Sequence, residues 1–123
     1  MPSEEDVSNF IRGTFRSVWA LELLCFLRHD RGRSLSHDEM VAGLRGSDLV
    51  VTQSVASLTA AGLVVAEGDG SARYNPASDD LDQLAERAAA LYARSPDAVR
   101  RKIVAAANPA ITAFADAFKL WKD

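Results

Sequence analysis

The sequence predicts a mainly α-helical fold with one small β-hairpin and a C-terminal helical extension. Apolar side chains recur at helical spacing through most of the 123 residues, and serine or proline marks the start of several of these segments. Between two helical stretches, a short β-branched run is followed by a glycine-rich turn, which is typical of a hairpin. The hydrophobic fraction of 48% and the charged fraction of 25% are ordinary for a globular domain.

The first helical pattern extends from about Val7 to His29. Its second half, Trp19–Leu27, is apolar almost all round, and a helix that is hydrophobic on every side is usually buried. We therefore expect a buried central helix here. Gly13 marks a weak point, or a break that separates an N-terminal arm from the helix proper.

The second helix is predicted to begin at Ser36, where the sequence has a capping-box pattern. The Ser36 side chain can accept a hydrogen bond from the amide of Glu39, and the Glu39 carboxylate can accept one from the amide of Ser36. Leu35 and Met40 have the spacing of the hydrophobic staple that often accompanies this box.

The third helix is predicted to follow a turn at Arg45-Gly46, with Ser47 as its N-cap. Gly62 comes directly after its last turn and is suited to the left-handed conformation that ends many helices. Its buried face is expected to consist of Val51, Val55 and Leu58.

The hairpin is predicted from Leu63-Val64-Val65, a turn at Gly68–Ser71 and a returning strand at Ala72–Asn75, which Pro76 ends. Helix, turn, helix, strand, turn, strand is the order of a winged helix-turn-helix. In that fold the second short helix usually enters a DNA groove.

Three further helical segments follow the hairpin. Ser95-Pro96 and Asn108-Pro109 each combine an N-cap residue with proline at the first helical position. We expect residues 1–77 to form a winged helix-turn-helix domain with an N-terminal helix. Residues 78–123 are expected to form a helical extension that packs on this domain, mediates dimerisation, or does both.

The stretch Leu58-x-x-x-Gly62-Leu63-Val64, with its preceding helix and following hairpin, resembles bacterial winged-helix transcriptional regulators of the MarR and ArsR kind over about residues 17–77. The stretch Phe114–Phe118 is similar to the tail of a group of short, uncharacterised bacterial winged-helix proteins. The resemblance implies a regulator that binds DNA as a dimer. The chain departs from the family pattern at Val50, Gln53 and Ser57, where the family often has a hydroxyl and two basic residues.

The candidate DNA-binding residues lie on the third helix, just before it, and on the hairpin. Arg45 is the best candidate for a phosphate contact. Gln53 could contact adenine, and Asp48 could accept a hydrogen bond from cytosine. The same side chains could instead form an ordinary solvated polar face. The full candidate set is Arg45, Ser47, Asp48, Thr52, Gln53, Ser57 and Arg73.

Charge argues against strong DNA binding. The chain has a formal net charge of −3, and residues 33–77 combine three arginines with five acidic residues, a balance of −2. A DNA-binding surface is normally basic. Two functions therefore stay open: a DNA-binding transcriptional regulator, or a winged-helix module that binds another protein, for example in the transcription apparatus. The run Arg100-Arg101-Lys102 could contact the DNA backbone or form a solvated helix face.

Four aromatic residues in the C-terminal part suggest either closure of the core or a two-fold dimer interface. Winged-helix regulators resembling this chain typically dimerise through terminal helices, and paired DNA half-sites call for a dimer. We therefore expect a homodimer. The candidate dimerisation residues are Tyr92, Phe114, Phe118 and Trp121.

Several function classes are unexpected for this sequence. His29 and His37 have no serine, cysteine or carboxylate at a spacing typical of a catalytic triad, so we do not expect an enzyme. Cys25 is the only cysteine, which rules out an internal disulfide and a cysteine-rich zinc site. We expect no cofactor and no metal. With no membrane-spanning run and no secretory signal pattern, the expected location is the cytoplasm.

Overall fold

The computed structural model describes residues 2–107, which form six helices and two strands. The predicted mainly helical fold with a small hairpin is therefore confirmed for this part of the chain. The predicted helix after Asn108-Pro109 lies outside the described residues. The elements are α1 Glu4–Thr14, α2 Val18–His29, α3 His37–Leu44, α4 Asp48–Ala60, β1 Val64–Ala66, β2 Ala72–Tyr74, α5 Asp79–Arg94 and α6 Pro96–Ala107.

The first predicted helix is divided into α1 and α2 by an extended segment at Phe15–Ser17. The break is therefore slightly later than Gly13. Phe15 is 2% exposed and packs edge-to-face on Phe10, with ring centroids 5.7 Å apart. Ser17 then starts α2, because its side chain accepts a hydrogen bond from the amide of Ala20.

The predicted helix caps of α3 and α4 are confirmed. The Ser36 hydroxyl accepts from the amide of Glu39 at 3.1 Å, and the Glu39 carboxylate accepts from the amide of Ser36 at 3.1 Å. The hydrogen bond from the Ser36 amide, followed by the nearby charge of Arg33, lowers the pKa of Glu39 below its ordinary value. The Ser47 hydroxyl accepts from the amide of Val50 at 3.1 Å. Because each cap joins residues only three positions apart, its sequence pattern was sufficient to predict it.

The hairpin pairs β1 and β2 in antiparallel register, with Val64 opposite Tyr74. Gly62 precedes it with φ at +78°, the left-handed backbone predicted at the end of α4. Leu35, just before α3, forms an isolated antiparallel bridge with Ala72. The hairpin is therefore held to both helices that precede it.

The core surrounds α2, which packs against α3, α4, α5 and β2. α1 packs against α5 and α6, so the N-terminal helix lies with the C-terminal helices in this structure. Trp19 is an exception to the buried character predicted for Trp19–Leu27, because its side chain is 40% exposed. It lies at the first turn of α2, beside Gly46 in the turn between α3 and α4. None of the described helices combines the length and apolar character needed to cross a bilayer.

Candidate nucleic-acid interface

α4 presents a neutral surface on the side away from the core. Val51, Ser54 and Leu58 face inward and are buried. Apart from Asp48 at its start, α4 contains no charged residue. Its exposed residues besides Asp48 are Leu49, Thr52, Gln53, Ala56, Thr59 and Ala60.

Asp48 is joined to the start of α3 by a contact with His37. The His37 Nε2 atom lies 2.9 Å from an Asp48 carboxylate oxygen. The Asp48 side chain is nevertheless 85% exposed, so its negative charge faces the solvent in front of α4. A carboxylate at the first position of a helix also suits the positive end of the helix dipole. Asp48 therefore has a structural explanation that is independent of base contact.

Arg45 occupies the turn between α3 and α4 with an unusual backbone. Its φ of 56° and ψ of 34° are left-handed, and it is the only non-glycine residue with positive φ in the described part of the chain. Side chains adopt this region at some cost in backbone strain. The guanidinium is exposed and has no ion-pair partner within residues 2–107.

The hairpin combines one arginine with two carboxylates. Arg73 lies on β2, opposite Val65, and is partly exposed. Glu67 accepts a hydrogen bond from the Ser34 hydroxyl at 2.7 Å. Hydrogen bonds from Ser71 lower the pKa of Asp69 below its ordinary value, so this turn residue is an anion at neutral pH. The tip of the hairpin is therefore acidic, and Arg73 lies on the strand behind the tip.

The polar candidates on α4 divide between two grooves. Thr52 lines a groove shared with His37 and the hairpin residues Glu67 and Ser71. Gln53 and Ser57 line a different groove, between α4 and the first turn of α2. We call it the α2–α4 groove; its volume is about 350 Å³. It is lined by Arg16, Ser17, Trp19, Ala20, Val50, Gln53, Ser54 and Ser57.

Sequence reasoning did not identify the contribution of α2 to this surface. Arg16, Ser17 and Trp19 belong to a segment that the helical pattern predicted as part of one long helix. The serine N-cap at Ser17 was the only local signal of a helix start there. Arg16 is exposed and, like Arg45, has no ion-pair partner among the described residues.

The arginines in the last turn of α2 and in the loop after it make contacts inside the protomer. The guanidinium carbons of Arg28 and Arg31 each lie 5.4 Å from the ring centroid of Tyr74. Arg31 is also 3.4 Å from Asp82. Arg33, in the same loop, contacts Glu39 at 2.7 Å.

Arg100 on α6 forms a separate cluster. It donates hydrogen bonds to Asp97 and to the Tyr92 hydroxyl, each at 3.2 Å. Tyr92 lies ten residues after Asp82 on α5, about 15 Å along a helix. Arg31 and Arg100 therefore make their contacts near opposite ends of α5.

Tyr92, a candidate dimerisation residue, lies in the interior of the protomer. It is only 9% exposed, and its hydroxyl donates a hydrogen bond to Glu22. Of the two roles considered for the C-terminal aromatic residues, Tyr92 has the core-closing one. Phe114, Phe118 and Trp121 lie outside the described residues, and their dimer role stays a prediction.

Within residues 2–107, no three His, Cys, Asp or Glu side chains come together as a metal ion would require. The surface that α4 presents consists of neutral hydrogen-bonding groups flanked by arginines.

Comparison of the chain with protein-family models, with curated proteins and with solved structures gives no match.

Proposed function

We propose that this protein is a DNA-binding transcriptional regulator of the winged helix-turn-helix type, similar to the MarR and ArsR kinds. In this proposal α3 and α4 are the helix-turn-helix and the β1–β2 hairpin is the wing. The supporting observation is the set of arginines around α4. Arg16 lines the α2–α4 groove beside α4, Arg45 lies in the turn before α4, and Arg73 lies on β2 of the hairpin that follows it. None of the three has an ion-pair partner within residues 2–107.

Each part of this surface has a separate role in the proposal. Arg45 and Arg73 contact phosphates and set the orientation of the protein on the duplex. The neutral face of α4 lies in the major groove, where the amide of Gln53 can donate to and accept from adenine. The hydroxyl groups of Thr52 and Ser57 contact the DNA on either side of Gln53. We also propose that two protomers bind together, since paired half-sites match a two-fold dimer.

The small number of cations sets the expected salt dependence. With roughly two to four phosphates neutralised per protomer, each protomer should contribute about −2 to −4 to the slope of the logarithm of the binding constant against the logarithm of salt concentration. This is shallow for a DNA-binding protein. Sequence preference should therefore depend strongly on the neutral contacts of α4.

Fluorescence anisotropy with labelled genomic fragments at two salt concentrations tests the proposal. The double variant Arg45→Gln/Arg73→Gln should weaken binding at low salt and reduce the slope by about 2 per bound protomer. Arg12→Gln/Arg94→Gln is a matched control, because it removes the same charge from exposed positions on α1 and α5 and should change binding little. Absence of binding by the folded wild-type protein at low salt would reject the proposal.

A second candidate function is a module that binds another protein through the same surface. Leu49 on α4 is 64% exposed and Trp19 is 40% exposed, and apolar and aromatic side chains are typical anchors of protein interfaces. Affinity capture from nuclease-treated cell extract tests this alternative. A partner that the wild type retains and Leu49→Ser loses, in the absence of nucleic acid, would favour it over DNA binding.

A further inference from the structure

The α2–α4 groove combines one cation with several unused hydrogen-bond donors. Among the residues that the structure describes, Arg16 is the only charged one that lines it, and no carboxylate does. Gln53 and Ser57 form its edge on α4. The groove therefore opens beside the polar residues that the proposed function assigns to base contact, and its electrostatic character favours an anion.

The first turn of α2 forms one wall of this groove. Ser17 caps the amide of Ala20, but the amides of Val18 and Trp19 have no acceptor within residues 2–107. The first amides of a helix have no partner inside the helix, and the helix dipole adds a partial positive charge there. α2 is 12 residues long, so its dipole is well developed. Such a helix start is a frequent location for a phosphate group.

Ser54 is a second and independent indication of a ligand. Its side chain is only 3% exposed and lines the groove, and no hydrogen bond joins its hydroxyl to another of residues 2–107. The hydroxyl is not among the fully buried atoms of this part of the chain that lack a partner, so it is open to the groove and free to donate there. A ligand oxygen in the groove would accept this hydrogen bond.

We propose that the α2–α4 groove binds one phosphodiester of the DNA backbone; this inference rests on the proposed function. The Arg16 guanidinium supplies the compensating charge. The amide of Trp19 and the hydroxyl of Ser54 donate hydrogen bonds to the phosphate oxygens. The partly exposed indole of Trp19 packs against the adjoining deoxyribose. The groove thereby fixes the position of α4 relative to the backbone.

Two variants and two controls test the proposal by fluorescence anisotropy with a random-sequence 20-base-pair duplex. Arg16→Gln should weaken binding roughly threefold to tenfold at low salt and reduce the salt slope by about 1 per bound protomer. Ser54→Ala should weaken binding about threefold and leave the slope unchanged, because no charge is lost. Arg12→Gln and Ser8→Ala, both on α1, change the same groups outside the groove and should bind as the wild type does. Circular dichroism checks that every variant is folded.

Amide chemical shifts locate the bound phosphate directly. The amide resonances of Trp19 and Ala20, which line the groove, should move when the duplex is added to the wild type and much less when it is added to Arg16→Gln. If the duplex binds while these resonances stay in place and Arg16→Gln keeps the full slope, the groove assignment is overturned and the proposed function stands. If no duplex binds at all, both fail. If inorganic phosphate at the same phosphate concentration moves these resonances as far as the duplex does, the site is for free phosphate, which overturns the backbone assignment.

Discussion

The Tyr92 hydroxyl on α5 donates a hydrogen bond to the Glu22 carboxylate on α2, 70 residues earlier in the chain. Arg100 on α6 donates to the same hydroxyl oxygen at 3.2 Å, and its guanidinium carbon lies 5.5 Å from the ring centroid of Tyr92. Burial, followed by the hydrogen bond to Glu22, raises the pKa of Tyr92 above its ordinary value. One phenol group thus connects three helices.

We expect Tyr92→Phe to lower the free energy of unfolding by about 1–3 kcal/mol, since it leaves the Glu22 carboxylate without its donor. Urea denaturation followed by circular dichroism measures this change. Glu22→Gln is the matched control, because an amide oxygen can still accept from Tyr92 and the loss should be smaller. An unchanged stability together with weaker dimerisation would show that Tyr92 acts between protomers instead.

The Tyr74–Asp82 pair should make stability depend on pH in the acid range. The Tyr74 hydroxyl donates to Asp82 at 2.5 Å. This hydrogen bond and the nearby Arg31 lower the pKa of Asp82 below the ordinary value of 3.8. A carboxyl group whose pKa is lower in the folded state stabilises the protein above its unfolded pKa, and this contribution is lost as pH falls through the folded pKa.

Urea midpoints of the wild type should therefore decrease more steeply than those of Asp82→Asn as pH falls below about 4. The two proteins should have parallel profiles at higher pH, where Asp82 is fully ionised. Parallel profiles through the whole acid range would contradict a stabilising role of the Asp82 charge.

Gly43 in α3 should not tolerate a side chain, although alanine is normally the better helix former. A Cβ atom at this position would lie 2.3 Å from Cζ of Phe26. The Phe26 ring would have to move out of its place between α2 and α3. We expect Gly43→Ala to destabilise the protein by about 1–3 kcal/mol despite its helix propensity.

Two other variants separate this clash from backbone effects. Gly13→Ala, at a position in α1 with no atom within 4 Å of the new Cβ, should stabilise by roughly 0.5–1 kcal/mol. In a Phe26→Leu background, Gly43→Ala should lower the free energy of unfolding much less, because the phenyl ring that the new Cβ atom would meet is absent. If Gly43→Ala lowered the free energy of unfolding equally in both backgrounds, the Phe26 contact would be excluded as the cause of the destabilisation.

Cys25 should react slowly in the folded protein. Burial, then the charge of Glu22, raises the pKa of its thiol to about 11. Because the thiolate is the reactive species, reaction with a disulfide reagent at pH 8 should be at least about 100-fold slower than after unfolding in guanidinium. Absorbance of the released chromophore measures both rates. Comparable rates would indicate that the thiol is accessible and reactive.

Asp48→Asn should strengthen DNA binding if α4 faces a duplex. The side chain is 85% exposed, so its charge repels phosphates near the start of α4. We expect affinity to rise roughly twofold to fivefold at low salt and the gain to disappear at high salt. Asp97→Asn, a similarly exposed position on α6, is the control and should have no such effect. A decrease in affinity would instead support a direct contact between Asp48 and a base.

The features predicted correctly were those decided by neighbouring residues. Ser36 and Glu39 form their capping box, Ser47 caps α4, and Gly62 ends it in the left-handed conformation, because each arrangement involves hydrogen bonds or dihedral angles within a few positions. The break at Phe15–Ser17 was placed less accurately. Its position depends on the burial of Phe15 against Phe10 and on the packing of α1 with α5 and α6, which is a tertiary effect.

The candidate site was only partly predictable for the same reason. Arg45, Thr52 and Gln53 could be placed at or on α4 from the sequence, since helical periodicity indicates which positions face away from the core. The sequence could not indicate which of the described arginines lack an ion-pair partner within residues 2–107. That depends on contacts such as Arg31 with Asp82, 51 residues apart.

The amino-acid sequence by itself determined the order of helices and hairpin, the caps that start them and the neutral character of α4, because these follow from local hydrogen bonding and side-chain periodicity. Only the tertiary structure decided that Tyr92 lies inside the protomer, that Trp19 is partly exposed, and that Arg16, Ser17 and Ser54 share a groove with Gln53. These relationships depend on how distant segments pack, and no local pattern in the chain specifies which of its many apolar and charged side chains will meet.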